Sequence, residues 1–229
     1  MNIDTIFVLI FEIIDDMVFV SDRFVYFESQ AMIQHTKKNR LCHLNPPYTQ
    51  EISSALQFIK PKNNDIDTLK LFRTFVKNLP LTTVMGELGK FFLSAGQNEG
   101  ASFDLRSREI VIVRVTARCH CEYEWGVHIA MFTKKAKLTT DQTYSLVHGD
   151  SGDTCWSSLD AALINMVDDF HDTGTLRDET FTLLSNHFTE TQLMEFFILA
   201  GWYHAISYFA NGAKTELEDW ATRFPKKVK

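Results

Sequence analysis

Apolar side chains recur every three and four residues through most of the chain, which is the spacing that places them on one face of an α-helix. In the segment that begins at Pro80, Leu88 and Phe92 share one face, and the polar stretch 94–100 ends the pattern. Proline and glycine are few, five and ten in 229 residues, while nineteen phenylalanines supply apolar volume for packing helices. The sequence therefore predicts an all-α protein.

The same spacing sets the approximate bounds of the helices. It predicts helices over residues 66–79, 81–93, 122–136, 140–148, 159–170 and 189–210. Thr189 and Gln192 have the spacing of a capping box at the start of the last one. Residues 110–115 are largely β-branched and favour a strand by propensity, but they lie between helical segments without a strand partner. We predict a buried central helix there as well.

Three regions are expected along the chain: an N-terminal arm or extension over residues 1–45, a helical domain over 46–220 and a basic tail over 221–229. The arm either packs on the core or a second subunit, or is a translated extension ahead of a start at Met32. If the arm were exposed on a monomer, its phenylalanines would promote aggregation. An ordered arm therefore requires a surface that covers them, which favours a homo-oligomer.

A weak internal similarity appears when the chain is shifted by 83 residues. The shift aligns Cys121 with His204, Glu124 with Ser207 and His128 with Asn211. If this reflects a duplication, the fold contains two pseudo-repeated helical hairpins, of which only the first keeps a reactive polar set.

Composition excludes several classes of function. A net charge of −6 and the lack of a basic run longer than Lys226-Lys227 argue against nucleic-acid binding. The apolar run 6–11 is soon interrupted by acidic residues, too early for a membrane span, and no secretory signal pattern follows. Four unevenly spaced cysteines are too few for a disulfide scaffold. We expect a cytoplasmic protein with reduced thiols that does not enter a membrane.

Cys121, Glu124 and His128 are spaced i, i+3 and i+7, so one helix face presents a thiol, a carboxylate and an imidazole. Cys121 falls at the predicted start of the helix, where the helix dipole favours a thiolate. The alternative interpretation is structural, with a buried cysteine, a solvated glutamate and a core histidine. Spacing alone does not decide between them.

The runs 106–117 (RSREIVIVRVTA) and 121–128 (CEYEWGVH) resemble the signature of the carboxymuconolactone decarboxylase and AhpD-type alkylhydroperoxidase family. The similarity extends from about Pro46 to Trp220, and this region resembles the longer, uncharacterised members with a Tyr-Glu-Trp-x-x-His motif. This resemblance implies an AhpD-like helical fold.

In the peroxidase branch of that family, a glutamate, a Cys-x-x-Cys pair and a histidine correspond to Glu109, Cys121, position 124 and His128. Position 124 is glutamate in this chain, so a two-cysteine cycle within the motif cannot run. Cys119 could replace the missing thiol only through a strained turn. A one-cysteine route remains, in which Cys121 is oxidised and an external thiol or a protein reductant restores it.

The predicted function is thiol-dependent hydroperoxide reduction of a small molecule, with Cys121 as nucleophile, His128 as base and Glu109 as proton relay. The decarboxylase branch implies an alternative, in which Glu124 and His128 act as an acid–base pair on a small carboxylated lactone or keto acid. A third possibility is a non-catalytic scaffold of the same fold.

Three further residues are candidates for lining the substrate pocket: Tyr123, Trp125 and His204. A buried Glu109 should pair with a basic group such as His128 or Arg118, because an unpaired buried carboxylate is costly. Glu109, Cys121, Glu124 and His128 would make a metal site of mixed hardness without a second histidine, so no metal and no cofactor are expected.

Overall fold

The computed structural model describes residues 39–60, 67–94 and 100–227, so most of the predicted arm lies outside the described residues. Within these ranges the chain forms nine α-helices and no strand. They are α1 (Gln50–Ile59), α2 (Lys70–Phe75), α3 (Leu79–Leu93), α4 (Leu105–Arg118), α5 (Glu122–Ala136), α6 (Thr140–His148), α7 (Ser158–Thr173), α8 (Asp178–Ser185) and α9 (Glu190–Ala213). The all-α prediction is confirmed.

Local side-chain chemistry fixes where several helices begin. Thr189 and Gln192 form the predicted capping box at the start of α9, each bonding the other's backbone N–H. Ser157 accepts a hydrogen bond from the Asp160 N–H at the start of α7. The left-handed Gly174 (φ 72°) ends the same helix, as its sequence position predicts.

Helix α4 is the centre of the fold. Every residue from Ser107 to Ala117 is buried, and the helix packs against α5, α7 and α9. Its Ile110, Val111, Ile112 and Val113 are at most 1% exposed. The β-branched run is therefore helical as predicted, because burial on all sides outweighs the modest propensity cost of branched side chains.

Elsewhere the predicted bounds hold for α3, α5, α6, α7 and α9 to within a few residues. The helix expected over 66–79 is shorter: its described part is only Lys70–Phe75, and a separate helix begins at Leu79. Helices α1 and α8 were not predicted, and both are short, with ten and eight residues.

The shift of 83 residues does not superpose like elements, so this alignment does not support a duplication. It aligns the α4–α5 hairpin with residues 188–219, where α9 runs without a break from Glu190 to Ala213. The matched aliphatic positions reflect the apolar composition of two buried helices and not a repeated unit.

Part of the predicted tail belongs to the core. The Thr222 N–H donates to the carbonyl of Gly126 on α5, and a Cβ at Gly126 would lie only 2.1 Å from the Thr222 oxygen. Phe224 packs its ring 5.0 Å from that of Trp125. The C-terminal segment thus covers the outer side of α5, which needs a glycine at position 126.

Candidate active site

His128 is the hub of a buried polar cluster between α4, α5 and α9. Its Nδ1 lies 2.8 Å from Oε2 of Glu109, and both side chains are at most 5% exposed. An ionised carboxylate can only accept hydrogen bonds, so Nδ1 carries the proton and Nε2 faces the opposite side. Glu109 thereby fixes both the tautomer and the orientation of the imidazole.

Arg108 forms an ion pair with Glu109. Its guanidinium lies 2.7 Å from Oε1 of Glu109, and it also donates to the carbonyl of Leu93 at the end of α3. The guanidinium and the carboxylate are both buried. The expectation that Glu109 pairs with a basic group is confirmed for His128, whereas Arg118 pairs with Asp168 and Asp172 instead.

Two side chains meet the Nε2 side of the imidazole. The hydroxyl of Tyr203 on α9 lies 3.0 Å from Nε2, and Oε2 of Glu124 lies 3.7 Å from it. Glu124 and His128 are four residues apart on α5, so the helix itself brings them together. A proton can therefore be exchanged among a phenol, an imidazole and a carboxyl group at one point.

Glu124 has an unusual environment for a carboxylate. Burial, more than the neighbouring charge of Glu109, raises its pKa, and His128 opposes that shift. Its Oε1 is buried without a hydrogen-bond partner among the described residues. A protonated Glu124 is favoured here, and the orphaned oxygen is positioned for a group that the protein does not supply.

A cavity of about 1280 Å³ opens next to this cluster. Glu124, His128 and Tyr203 line it together with apolar side chains of α2, α3, α5 and α9, among them Leu71, Phe75, Met85, Val127, Met131, Phe132 and Ile206. Lys60, Lys90, Asp67 and Glu87 add charges to the wall. An apolar pocket with a few converging polar groups is the usual form of a small-molecule site.

Cys121 occupies the predicted position just before α5 but is fully buried there. It is 0% exposed and does not appear among the described residues that line the cavity. Burial and the nearby carboxylate of Glu124 raise the pKa of the thiol to about 12, although the backbone N–H of Glu124 opposes the shift. The expectation of a dipole-stabilised thiolate is wrong, because desolvation outweighs the helix end.

The other predicted pocket residues lie elsewhere. The Tyr123 hydroxyl donates to Glu218 and accepts from the Leu71 N–H, and Trp125 packs in the main core. His204 faces His171 on α7, with 3.1 Å between their nitrogens. None of the three is among the described residues that line the cavity.

Sequence reasoning missed two members of the cluster, Arg108 and Tyr203. The signal for Arg108 was available, since an arginine inside an apolar helix next to a glutamate must find a counter-charge. Tyr203 carries no such signal, because its role depends on how α9 crosses α5.

Among the described helices, none combines the length and the apolar character that crossing a bilayer requires.

No protein-family profile and no curated protein sequence matches the chain. Solved structures do share its fold. An uncharacterised peroxidase-related protein from Silicibacter sp. TM1040 has a TM-score of 0.65 at 12% identity, covering 82% of this chain and 96% of its own. A protein of unknown function from Agrobacterium tumefaciens, described as a putative antioxidant defence protein AhpD, has a TM-score of 0.52 at 14% identity and covers 59% and 89%.

The debrominase Bmp8 is a third structure of this kind, with a TM-score of 0.57 at 13% identity and coverage of 79% of this chain and 92% of its own. A cysteine-to-alanine variant of Bmp8 has been solved with 2,3,4-tribromopyrrole. At these identities the likeness establishes an AhpD-like helical fold, as the sequence resemblance implied, and the fold hosts more than one activity.

Proposed function

We propose that this protein is an enzyme that uses Glu124 and His128 as an acid–base pair on a small carboxylated lactone or keto acid, releasing carbon dioxide. The observation that carries the proposal is that Glu124, His128 and Tyr203 converge on one apolar cavity, whereas Cys121 is sealed from it. This was the second of the two enzymatic hypotheses from the sequence, and the geometry favours it over the first.

The chemistry follows from the arrangement of the groups. A carboxylate β to a carbonyl leaves as carbon dioxide when its carbon–carbon bond breaks, and the electron pair passes into the carbonyl as an enolate. Glu124, protonated because burial raises its pKa, donates a proton to the enolate carbon. Nε2 of His128 takes up a proton from solvent, with Glu109 stabilising the imidazolium, and passes it to the Glu124 carboxylate 3.7 Å away, which restores the neutral imidazole.

The cavity wall suits such a substrate. Lys90 lies over the ring of Phe58, 3.1 Å from its centroid, and together with Lys60 it supplies cations for a substrate carboxylate or the lactone carbonyl. Apolar walls exclude water and favour loss of charge from the carboxylate. The acidic Asp67 and Glu87 also line the cavity, so a substrate with several carboxylates is disfavoured.

Thiol-dependent hydroperoxide reduction is the second candidate. It is favoured by the fold shared with a peroxidase-related protein and by the place of Cys121 at the start of the helix that carries His128. This route requires movement that exposes the thiol, because a thiol of pKa about 12 is only about one part in 10⁵ thiolate at neutral pH. The expected homo-oligomer remains a prediction under either candidate.

The two candidates separate in one experiment on the full chain. Release of carbon dioxide from a panel of carboxylated lactones and β-keto acids is measured for the wild type, His128→Gln, Cys121→Ala and His187→Gln. We expect His128→Gln to lose about 10²- to 10⁴-fold in kcat/KM, and Cys121→Ala to change it less than about threefold. His187 is an exposed histidine outside the cluster and serves as the matched control.

Consumption of an alkyl hydroperoxide with a dithiol is measured for the same variants. If no carbon dioxide is released and peroxide consumption disappears in Cys121→Ala alone, the second candidate replaces the first. If neither activity depends on His128 or Cys121 in variants with unchanged circular dichroism, the result supports the hypothesis of a non-catalytic scaffold.

A further inference from the structure

A second cluster of chemically reactive side chains lies outside the cavity. It joins Cys119, which caps the end of α4, His171 in the last turn of α7 and His204 in the middle of α9. One ligand atom from each residue lies within 4.8 Å of the other two, and all three residues are half-buried. Residues 119, 171 and 204 are far apart in sequence, so the pattern is invisible before the helices pack.

The two imidazoles are oriented toward each other. Nδ1 of His171 lies 3.1 Å from Nε2 of His204, and Nδ1 of His204 donates to the carbonyl of Ala200 at 3.2 Å. That bond places the proton of His204 on Nδ1, so Nε2 presents its lone pair to the cluster. Metal-bound histidines are held in the same way, with the second ring nitrogen donating to a carbonyl.

We propose that Cys119, His171 and His204 bind a zinc ion. Tetrahedral zinc with bonds of roughly 2.0 to 2.1 Å to nitrogen separates two histidine nitrogens by about 3.3 Å, close to the spacing that the imidazoles already have. A zinc–sulfur bond of about 2.3 Å then requires the sulfur to lie about 3.6 Å from each nitrogen, and the three ligand atoms already lie within 4.8 Å of one another. Binding releases the thiol proton to solvent and moves the proton of His171 from Nδ1 to Nε2, so that the thiolate, two imidazoles and one water complete the coordination.

The charges around the cluster are compatible with a dication. Arg118 is adjacent to Cys119, but Asp168 and Asp172 on α7 pair with its guanidinium. Asp168 also pairs with Arg114. Ser207 lies beside Cys119, and its hydroxyl is buried. This hydroxyl can donate to the thiolate once the metal has removed the thiol proton.

The zinc would join α7 to α4 and α9, two of the helices that carry the polar cluster of the cavity. Cys119 ends α4, which holds Glu109, and His204 directly follows Tyr203 on α9. A bound ion therefore restrains the positions of Glu109 and Tyr203 without touching the cavity. The proposal does not depend on the activity at His128.

The test uses the full chain after treatment with a chelator. Zinc titrated against a zinc-sensitive dye should bind with a stoichiometry of one per chain, and Cys119→Ser, His171→Asn and His204→Asn should each weaken binding by at least about tenfold. Cobalt should give a sulfur-to-metal charge-transfer band that disappears in Cys119→Ser.

The matched controls are Cys155→Ser, a half-buried cysteine, and His187→Asn, an exposed histidine, both outside the cluster. Both should leave zinc affinity and the cobalt band unchanged within twofold. The absence of stoichiometric zinc binding would overturn the proposal. So would binding that survives all three cluster variants, which would assign the ion to other residues. Circular dichroism identifies a variant that fails to fold. If Cys119→Ser fails to fold, zinc binding by His171→Asn and His204→Asn tests the proposal.

Discussion

Two neighbouring residues of α9 belong to opposite environments. Tyr203 is 5% exposed and meets His128 in the buried cluster beside the cavity, while His204 is half-buried and faces His171 and Cys119. One step along a helix turns the side chain by about 100°, so adjacent residues can serve different sites. A single helix thus borders both the buried cluster around His128 and the half-buried group of Cys119, His171 and His204.

The two clusters differ in how their charges are balanced. In the buried cluster, the Glu109 carboxylate is paired away from water. One of its oxygens lies 2.7 Å from the guanidinium of Arg108, and the other lies 2.8 Å from Nδ1 of His128. Beside the half-buried cluster of Cys119, His171 and His204, Arg118 and Asp172 pair near the surface, where solvent screens them. Removing one partner should therefore be severe in the first cluster and mild in the second.

The largest effect is expected from Glu109→Gln. This change leaves the buried guanidinium of Arg108 without its counter-charge, and we expect the free energy of unfolding to fall by roughly 3–5 kcal/mol. Urea denaturation followed by circular dichroism measures it. The matched change at the half-buried cluster, Asp172→Asn, should cost less than about 1 kcal/mol. Equal losses in the two variants would contradict the contrast between the clusters.

The next effect concerns pH and Glu124. Because burial raises its pKa in the folded protein, Glu124 contributes stability at a pH below its ordinary value of 4.5, and that contribution is lost as the pH rises through the raised pKa. Glu124→Gln replaces the ionisable carboxyl with a neutral amide, so the variant does not lose this stability as the pH rises. Its free energy of unfolding should therefore improve relative to the wild type as the pH increases from about 4 to 8. Parallel pH profiles for the two proteins would show that Glu124 titrates normally.

The smallest expected effect comes from substitutions of the adjacent residues Tyr203 and His204, which should change different properties of the protein. Tyr203→Phe removes the hydroxyl 3.0 Å from His128, and we expect kcat for carbon dioxide release to fall about 2- to 10-fold, the equivalent of one hydrogen bond. Zinc affinity should not change. His204→Asn should do the reverse, weakening zinc binding while kcat in the presence of excess zinc stays within twofold. A loss of both properties in either variant would mean that the clusters act as one site.

Much of the fold was predictable because helices are local structures. The capping residues Thr189 and Ser157 and the left-handed Gly174 set helix ends from within a few positions of sequence. The buried α4 was predictable from context in spite of its branched residues. Helices α1 and α8 were missed because a segment of ten or eight residues spans only two to three turns and is easily taken for part of a loop.

The candidate site was predictable only in part. His128 and Glu124 could be identified because they share one helix face, and the pairing of Glu109 with His128 because a buried carboxylate needs a partner. Cys121 satisfied the same helical spacing, yet its reactivity depends on burial, which spacing does not encode. Tyr203 and the cavity depend on the crossing of α9 over α5.

The sequence by itself determined that this chain is helical, that α4 is its buried centre and that Glu124 and His128 lie side by side on α5. These properties depend on propensity, periodicity and capping within about two turns of helix. Only the tertiary structure decided that Cys121 is desolvated, that Tyr203 faces His128 and that Cys119, His171 and His204 converge. Solvent access and long-range proximity arise when helices pack, and local spacing does not record either of them.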